Sequence, residues 1–411
     1  MKILRIADPS LNVGGAEKRA FNVLKYLSKI DDVVLIPPLE SIINHCKDDF
    51  EELKLLEKEG VKIPENVRSF QEKCEELRLS KNPLLSVKQE ISYYSNFLED
   101  VKDVDVIFVD HIKYNLVGSA VFLKKQISSP LILLQQSSSL KEIGSLLWNI
   151  RNRGFVLESF LHPLAEVYVR RLWRSYSTYI DLVLGVSYSA IKELFSSGYV
   201  EKPIKSKVLR PANAVELKEK VDVGKENNLA IYFSRLEPEK GIRDIQKIWK
   251  EVSRELPNAN LIIAGKFFSE KIKKEFFKNI NGNAKYLGFI SSPELLSMLG
   301  KSKVFIYPTH GDAFPLSVLE SLMEGTPVVA YGIPAISEAF GNLPAVKVVR
   351  EGDIVGMARE TVNVLKMENE EIKQLFDDES VKKFLELHSS WEKVALAEHK
   401  AIKEFLEEDS K

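Results

Sequence analysis

The chain has few cysteines, no long apolar run and almost no net charge, and each of these absences excludes a class of protein. Cys46 and Cys74 are the only cysteines, and both stand in segments with a helical pattern, so we expect neither a disulfide framework nor a zinc site. No apolar stretch reaches the roughly twenty residues that a membrane span requires. A net charge of -1 gives no general attraction to nucleic acid, so any anion site must be local.

The complete dinucleotide-binding fingerprint is also missing. The first predicted strand is followed by Gly14 and Gly15, which do not form a full G-x-G-x-x-G pattern, and no acidic residue ends the second strand at 36–38. These features argue against an NAD or FAD enzyme. The N-terminal residues 1–8 are typical of a strand rather than of a signal peptide, so we expect a cytosolic protein.

What the sequence does contain is a regular alternation of short apolar runs with longer amphipathic segments, which is typical of α/β domains. In the first half, strands are predicted at 3–7, 33–36, 104–109, 131–134, 182–186 and 208–210. In the second half, strands are predicted at 230–234, 261–264, 286–288, 304–307, 328–331 and 346–349. With 411 residues the chain is too long for one ordinary core. We therefore predict two Rossmann-like domains facing each other across a cleft, with a ligand at the carboxyl ends of their strands.

Two carboxylates near the C-terminal end of the chain form the most informative motif. Asp312 lies in a glycine-containing loop, and Glu320 lies eight positions later, inside the helix that this loop precedes. Pro315 suits the first turn of that helix, and Gly325 followed by Pro327 ends it before a short strand. The start of the helix presents unpaired N–H groups and a partial positive charge to the loop, which suits a phosphate group.

A second motif places two cations directly after the first strand of the second half. Arg235 and Lys240 lie on either side of a turn that precedes a helix. Fixed cations at such a strand end can neutralise a diphosphate and stabilise the charge that develops when it leaves. The alternative is a solvated loop in which Glu237 or Glu239 forms an ion pair with a neighbour.

Together these segments resemble the retaining sugar-nucleotide glycosyltransferases of family 4. The shared features are two acids that flank seven other residues, the Phe-Pro-Leu turn at 314–316 and the Gly-Thr-Pro-Val-Val sequence at 325–329. The resemblance implies a GT-B fold and transfer of a sugar from a UDP- or GDP-linked donor to a hydroxyl acceptor, with retention at the anomeric carbon. It implies no metal and no cofactor beyond the nucleotide-sugar donor.

The resemblance also implies roles for individual residues. Arg235 and Lys240 would bind the donor's diphosphate, Asp312 would hold hydroxyls of the donor sugar, and Glu320 would hold the ribose. The remaining donor-side residues that the resemblance implies are Phe314, Pro315, Leu316, Gly14, Gly15, Gly288 and Phe289.

The acceptor side is where the sequence departs from its relatives. Many of them have a histidine after the strand at 131–134, whereas this chain has Gln135, which can hydrogen-bond a sugar hydroxyl but cannot accept a proton at neutral pH. His111, at another strand end, and His310, beside the acidic motif, are the other acceptor-side candidates. The four remaining histidines are interpreted as structural; these are His45, His162, His388 and His399.

Two departures keep other functions open. The first acid of the motif is usually Glu and here is Asp312, and Gln135 replaces the usual histidine. These differences favour, as an alternative, a catalytically idle sugar-nucleotide-binding or scaffold protein. A sugar phosphorylase or a sugar-nucleotide epimerase on the same fold is a further alternative. In the simplest interpretation, Asp312 is a solvated loop residue and Glu320 lies at the edge of the core.

Domain boundaries follow from a polar stretch and from the end of the chain. The Lys- and Glu-rich segment 216–228 is interpreted as a linker, and residues from Trp391 resemble the terminal helix that returns to the first domain. We therefore expect domains at 1–213 and 214–390, with 391–411 packed on the first. The segment 148–179 mixes arginines with aromatic residues, so a peripheral contact with the cytoplasmic membrane face and a lipid-linked acceptor stand beside a solvated helix as interpretations.

Overall fold

The computed structural model describes residues 1–11, 14–46, 50–80, 82–137, 162–201, 203–216, 224–280 and 282–409. The described residues form two compact units. Unit 1 comprises the residues up to Asn213 together with those from Trp391 onward, and unit 2 comprises Ala214–Ser390. Each unit is built around one parallel sheet with helices in the connections between its strands.

The sheet of unit 1 has the order β2-β1-β3-β4-β5-β6, and all its strands run parallel. Its strands are β1 Lys2–Ile6, β2 Asp32–Leu35, β3 Val106–Val109, β4 Leu131–Gln135, β5 Leu182–Gly185 and β6 Lys205–Val208. Every residue of β3, β4 and β5 is buried, as expected for a parallel sheet covered on both faces.

The sheet of unit 2 has the order β12-β11-β10-β7-β8-β9 and is also parallel. Its strands are β7 Leu229–Phe233, β8 Asn260–Ala264, β9 Asn283–Gly288, β10 Val304–Tyr307, β11 Val328–Tyr331 and β12 Val346–Val349. The central strands β7, β10 and β11 are fully buried, whereas β9 and β12 at the edges are partly exposed.

Helices connect the strands of each sheet, and a helix follows the last strand of unit 2 and returns to unit 1. In unit 1 they are α1 Gly15–Leu27, α2 Leu39–Asn44, α3 Glu51–Lys58, α4 Glu65–Glu72, α5 Pro83–Tyr94, α6 Leu98–Val101, α7 Tyr114–Ile127, α8 His162–Ser177 and α9 Tyr188–Ser196. In unit 2 they are α10 Ile242–Glu255, α11 Glu270–Asn279, α12 Ser292–Lys301, α13 Leu316–Met323, α14 Pro334–Ala339, α15 Ile354–Lys366, α16 Asn369–Asp377 and α17 Glu379–Leu387. The final helix, α18 Trp391–Asp409, packs on α1 of unit 1.

The prediction of two Rossmann-like α/β units is confirmed, and one strand was misplaced along the sequence. The last strand of the first sheet was expected at 208–210 and lies instead at Lys205–Val208. This strand is at the edge of the sheet, and three of its four side chains are exposed. Its lysines give no apolar signal, and charged residues of this kind protect sheet edges from pairing with other chains.

Four charged side chains form a closed cluster in the core of unit 1. Arg5 on β1 donates hydrogen bonds to both carboxylate oxygens of Asp110, at 2.9 and 2.6 Å, and also contacts Glu398 on α18. Arg19 on α1 donates to the other oxygen of Glu398 at 2.8 Å. Their side chains are at most 1% exposed. We name Arg5, Arg19, Asp110 and Glu398 the core charge cluster; it attaches the C-terminal helix to the first strand.

The sequence argued against a disulfide framework, but the structure contains a disulfide. Cys46, after α2, and Cys74, at the start of a short 3₁₀ turn, form a disulfide with a Cα–Cα distance of 5.6 Å. The pair is separated by 28 positions, and only the packing of the helical region between β2 and β3 brings the two segments together. Helical surroundings therefore did not exclude a disulfide in this region.

Candidate functional site

The candidate site lies where the sheet of unit 2 changes its direction of growth. From β7 the sheet extends to one side through β8 and β9, and to the other side through β10, β11 and β12. Ligands of open α/β sheets bind outside the carboxyl ends of the strands at such a switch point. The loop after β7 carries Arg235 and Lys240, and the loop after β10 carries His310 and Asp312. The two predicted motifs therefore lie at the ends of neighbouring strands.

Lys240 and Asp312 form the ion pair that joins these two loops. The Lys240 ammonium donates to Asp312 Oδ2 at 2.7 Å and to the carbonyl oxygen of Gly311 at 2.8 Å. The Tyr307 hydroxyl donates to the same carboxylate oxygen at 2.7 Å, and the Ala313 N–H donates to Oδ1 at 2.9 Å. The carboxylate of Asp312 is thus fixed on both oxygens and is not a solvated loop group.

The electrostatics of this pair favour its charged form. Burial acts to raise the pKa of Asp312, but the charge and hydrogen bond of Lys240 lower that pKa overall. Burial likewise acts to lower the pKa of Lys240, and the charge of Asp312 raises it overall. An ammonium has three N–H donors. Two of them are used by acceptors in the described residues, so the third can meet a phosphate oxygen.

Two glycines let the loops at this edge of the sheet approach one another. Gly241 has a φ of +78°, and a Cβ there would lie 2.0 Å from the carbonyl oxygen of Pro308. Gly265, after β8, has a φ of +133°, and a Cβ there would lie 1.9 Å from the carbonyl oxygen of Ser234. Any larger residue would push the backbones apart. Sequence reasoning assigned no role to either position, although each glycine directly follows a motif or a strand.

Arg235 is held less tightly than Lys240. Its side chain is 53% exposed, and its Nη2 lies 3.1 Å from Oε1 of the buried Glu237. This is the ion pair that the alternative interpretation of the motif expected. An exposed guanidinium can pivot at little cost, because exposed ion pairs contribute little to stability. Arg235 can therefore turn toward an anion bound at the loop.

The helix after the acidic loop begins one residue later than predicted. Pro315 was expected in the first turn, but it is the N-terminal cap of α13, which begins at Leu316. Phe314 of this loop is buried, and its ring centroid lies 5.3 Å from that of the buried His388. Glu320, one turn into α13, is half-buried. The first N–H groups of α13 therefore face the loop that contains Asp312.

His310 contacts acids on both sides of its ring. Its Nε2 lies 2.9 Å from Oδ2 of Asp244 on α10, and its Nδ1 lies 2.7 Å from Oε1 of Glu351, which follows β12. These contacts raise the pKa of His310, the hydrogen bond to Asp244 having the largest effect. With both nitrogens engaged, His310 in this conformation has no ring nitrogen left for an acceptor, and its acceptor-side role stays a prediction.

Gly288 is the last residue of the edge strand β9, and Phe289 follows it. Gly288 has a φ of +79°, and its carbonyl oxygen accepts a hydrogen bond of 2.8 Å from Gly265 N–H at the carboxyl end of β8. Phe289, the next residue, is 69% exposed. A large apolar ring at a loop tip is available for contact with a flat ligand group.

In unit 1, the predicted site residues lie at the start of α1, just after β3 and at the end of β4. Gly14 caps α1 with an extended backbone, and Gly15 is its first residue; positions 12 and 13 lie outside the described residues. Gln135 is fully buried, and its Nε2 donates to the carbonyl oxygen of Ser137 at 2.7 Å. His111 is 6% exposed, and its Nε2 has no hydrogen-bond partner among the described residues.

Two further histidines have hydrogen-bonding partners of their own in unit 1, and the side chain of a third lies outside the described residues. His45 Nε2 lies 2.7 Å from Ser10 Oγ, and the ring stacks on Phe50. His399 on α18 contacts Asp31 at 2.6 Å. The side chain of His162 and residues 148–161 of the predicted membrane-contact segment lie outside the described residues. None of the described helices combines the length and apolar composition that crossing a bilayer requires.

The described residues contain no group of three or more His, Cys, Asp or Glu side chains arranged to hold a metal ion. The acids around His310 do not form such a group either. Asp244 and Glu351 approach opposite nitrogens of one imidazole ring, so these groups do not converge on a common point.

Comparisons with known proteins agree with this geometry. Residues 214–375 match the family model of the glycosyl transferases group 1, a range that contains both motifs of unit 2. The chain is 28% identical over 137 residues to glycogen synthase of Mycobacterium tuberculosis, which covers 33% of each sequence. It therefore spans about a third of the length of this curated relative.

Solved structures with a similar fold cover both units. Anabaena HepE, crystallised with UDP and glucose, is similar with a TM-score of 0.69 and 14% identity over 98% of this chain and 100% of that one. Sucrose-phosphate synthase of Thermosynechococcus elongatus is similar with a TM-score of 0.67 and 15% identity over 98% of each chain. Both fold similarities extend beyond unit 2 to include unit 1.

Proposed function

Because residues 214–375 match the family model of the glycosyl transferases group 1, we propose that this chain transfers a sugar from a nucleotide-sugar donor to a hydroxyl acceptor, with retention at the anomeric carbon. The bond between the anomeric carbon and the diphosphate oxygen breaks. The acceptor oxygen then bonds to the same face of that carbon, and its proton leaves with the nucleoside diphosphate.

The observation that carries this proposal is the Lys240–Asp312 pair at the switch point of unit 2. It places a cation and a carboxylate side by side at the strand ends where ligands of such sheets bind. A nucleotide sugar needs both, since its diphosphate is anionic and its sugar offers hydroxyl donors. The side chains of Lys240 and Asp312 are 11% and 19% exposed, so a ligand can reach them.

The diphosphate would be held by three groups. Lys240 offers its third N–H, Arg235 turns from Glu237 toward the phosphate, and the first N–H groups of α13 add the positive end of a helix dipole. Fixed donors of this kind stabilise the charge that develops on the leaving group, without reorganising during the reaction. Because these groups can together neutralise the diphosphate, we propose a metal-independent reaction with no added cofactor.

The donor sugar and nucleoside would contact neighbouring parts of the same edge. Asp312 accepts hydrogen bonds from sugar hydroxyls, and Glu320 holds the ribose. Phe289 and the backbone of Gly288 lie at the strand end proposed for the base, which we take to be uracil or guanine. HepE was crystallised with UDP, which favours uracil as the first base to test.

The acceptor would bind in unit 1, at the ends of β3 and β4. His111 presents a buried ring nitrogen that has no partner among the described residues, and Gln135 lies at the end of the adjacent strand. A hydroxyl of a glycan, a lipid-linked sugar or a small molecule can pair with these groups. A lipid-linked acceptor, contact with a membrane surface and a cytosolic location stay predictions.

An idle sugar-nucleotide-binding protein is the second candidate, and the buried Gln135 is the observation that favours it. A glutamine at this position cannot accept a proton at neutral pH. Such a protein would bind nucleoside diphosphates through the same cations but would not release them from a sugar nucleotide.

The experiment that separates these functions measures nucleoside diphosphate released from a panel of UDP- and GDP-sugars, beside calorimetric binding of the free diphosphate. With the best donor, we expect Asp312→Asn to lower transfer by about a hundredfold, or about 2.7 kcal/mol, and to change diphosphate affinity by less than about threefold. The reason is that Asp312 contacts the sugar whereas other groups hold the nucleotide.

Glu320→Gln is the matched control in the same motif, and it should weaken diphosphate binding itself through the ribose. Full activity of Asp312→Asn would remove this aspartate from the site. Binding without any release of diphosphate, across the whole panel, would favour the idle protein.

A further inference from the structure

Three segments of unit 2 meet at the imidazole ring of His310. Asp244 comes from the first turn of α10, Glu351 follows β12, and His310 itself lies in the loop after β10. The ring bridges the two carboxylates through its opposite nitrogens, at 2.9 and 2.7 Å. The Tyr331 hydroxyl, at the end of β11, donates to the same Asp244 oxygen at 3.1 Å.

The chemistry of these contacts fixes the protonation state of the ring. An ionised carboxylate can only accept hydrogen bonds, so each acid requires an N–H on the imidazole nitrogen that faces it. Neutral imidazole has one N–H, whereas imidazolium has two. Both contacts are therefore satisfied together only when His310 is a cation.

The same loop carries the residue that we assign to the donor sugar. The backbone N–H of His310 donates to the carbonyl oxygen of Glu239 at 2.8 Å, and Gly311 accepts from Lys240. Asp312 follows directly. A shift of the His310 ring would therefore move the backbone that places the Asp312 carboxylate, two residues away.

We propose that His310 is a positioning residue: as an imidazolium clamped between Asp244 and Glu351, it holds the loop that carries Asp312, and loss of its proton releases that loop. The clamp itself is a property of unit 2. Its effect on turnover rests on the proposed function.

Other charged groups face the clamp from the surrounding elements. Asp353, after β12, acts on Tyr331, and Lys247 on α10 acts on Asp244. Glu239, before α10, lies close to Gly311, since a Cβ on that glycine would be 2.8 Å from Glu239 Oε1. Lys240 and Asp312 complete the set in the adjacent loop. Most of these groups are acidic, so their combined field favours the cationic ring.

The direction of the pH dependence follows from the contacts of the ring. The hydrogen bonds to Asp244 and Glu351 raise the pKa of His310 above its usual 6.5. A group whose pKa is raised on folding contributes fully below its unfolded pKa, and this contribution is lost as the pH rises through the folded pKa. The clamp is therefore closed below the raised pKa of His310 and opens as the pH rises through it.

Nuclear magnetic resonance of the full chain with ¹⁵N-labelled histidine tests the clamp without any substrate. The chain has six histidines, and His310→Gln identifies the resonance of interest by its loss. We expect this imidazole to titrate above 6.5, and Asp244→Asn to lower its midpoint. His399, which contacts Asp31 in unit 1, is the internal control and should not respond to Asp244→Asn. A midpoint at or below 6.5, or one that Asp244→Asn leaves unchanged, overturns the clamp.

Turnover tests the positioning role separately. With the donor identified, the pH profile should fall on its alkaline side at the midpoint found by magnetic resonance, by about tenfold or more. Asp244→Asn should move this fall to lower pH. His310→Arg keeps a cation between the two acids at every pH tested, so it should restore activity on the alkaline side.

A raised midpoint with a flat pH profile, or a His310→Arg profile identical to that of His310→Gln, would overturn the positioning role. Absence of all transfer activity, with the raised midpoint intact, would contradict the proposed function and not the clamp. Hydrogen exchange of the Gly311–Ala313 amides then replaces turnover as the measurement. Above the midpoint of the His310 titration, these amides should exchange faster in the unchanged chain than in His310→Arg at the same pH. Equal exchange rates in the two proteins would overturn the positioning role.

Discussion

The core charge cluster of unit 1 and the Lys240–Asp312 pair of unit 2 both join basic side chains to carboxylates, but they differ in their exposure to solvent. In the core charge cluster, four side chains are at most 1% exposed, and two arginines and two acids balance one another. In the pair, the side chains are 11% and 19% exposed, and the ammonium keeps one N–H beyond its two acceptors.

This difference shows that a buried ion pair is not by itself a sign of function. The core charge cluster lies entirely inside unit 1 and joins α18 to β1 and α1, so it has no surface on which to receive a ligand. The pair lies at the switch point of its sheet and is reached by solvent. Position in the sheet and access to solvent therefore separate the charges that we propose bind a ligand from the structural ones.

The largest effect on stability should come from breaking the core charge cluster. Arg5→Met would leave Asp110 and one oxygen of Glu398 without their main partner inside the core, so we expect the free energy of unfolding to fall by about 3 to 5 kcal/mol. Chemical denaturation measures this loss. Arg68→Met is the control, because Arg68 pairs with Glu57 at the surface and should change stability by at most about 1 kcal/mol.

A smaller loss for Arg5→Met than for Arg68→Met would show that the core charge cluster does not stabilise unit 1. Little in the sequence indicates this cluster, because Arg5 stands in an otherwise ordinary strand and its partner Glu398 is 393 positions away. Pairings over such distances depend on the completed fold. The disulfide between Cys46 and Cys74 was missed for the same reason.

A third buried charge extends the comparison, because Glu90 on α5 has no cation in direct contact among the described residues. It accepts long hydrogen bonds from Leu39 N–H at 3.4 Å and from Asn115 Nδ2 at 3.3 Å. Burial raises the pKa of Glu90 to about 7 from 4.5. A carboxyl whose pKa is raised on folding binds its proton more tightly in the folded state. The folded protein therefore loses stability as the pH rises from the unfolded pKa of this carboxyl to its folded pKa.

Glu90→Gln should remove this pH dependence. We expect the variant to gain about 2 to 4 kcal/mol in unfolding free energy relative to the unchanged chain between about pH 4.5 and pH 8. Denaturant titrations of both proteins across this range measure the difference. Parallel curves would mean that Glu90 ionises in the folded protein as it does in water.

The smallest effect on stability should come from Lys240. Lys240→Met leaves Asp312 with hydrogen bonds from Tyr307 and Ala313 and with access to solvent, so we expect a loss of only about 1 to 2 kcal/mol. The same variant should bind nucleoside diphosphate more weakly by about 1.5 to 3 kcal/mol, the usual contribution of a charged hydrogen bond. A stability loss as large as that of Arg5→Met would make this pair structural, and the comparison would fail.

The sequence predicted the sheet of unit 2 well, because its strands rest on local patterns. Buried parallel strands have continuous apolar runs, and β10, β11 and β12 have the predicted bounds. The edge strand β6 was displaced because its lysines carry no such pattern. Lys240 and Asp312 were both identified, but their direct contact was not, since it depends on the pairing of β7 with β10.

Other parts of the site depended on tertiary geometry. The sequence identified His310 only as a neighbour of the acidic motif, because its two acids come from α10 and from the segment after β12. Gly241 and Gly265 could be given a role only once the distance from each to the neighbouring backbone was known. These features follow from the packing of loops against one another. Periodicity in the sequence predicts helices and strands but not contacts between loops.

The central claim is that the switch point of unit 2 binds a nucleoside diphosphate through Arg235 and Lys240. Calorimetric titration of UDP and of GDP into the full chain, with a metal chelator present, tests it directly. We predict binding of at least one of them in the chelator, weakened by about 2 to 5 kcal/mol in the Arg235→Ala/Lys240→Ala variant. Affinity that disappears in the chelator, or that survives both substitutions unchanged, would contradict the account.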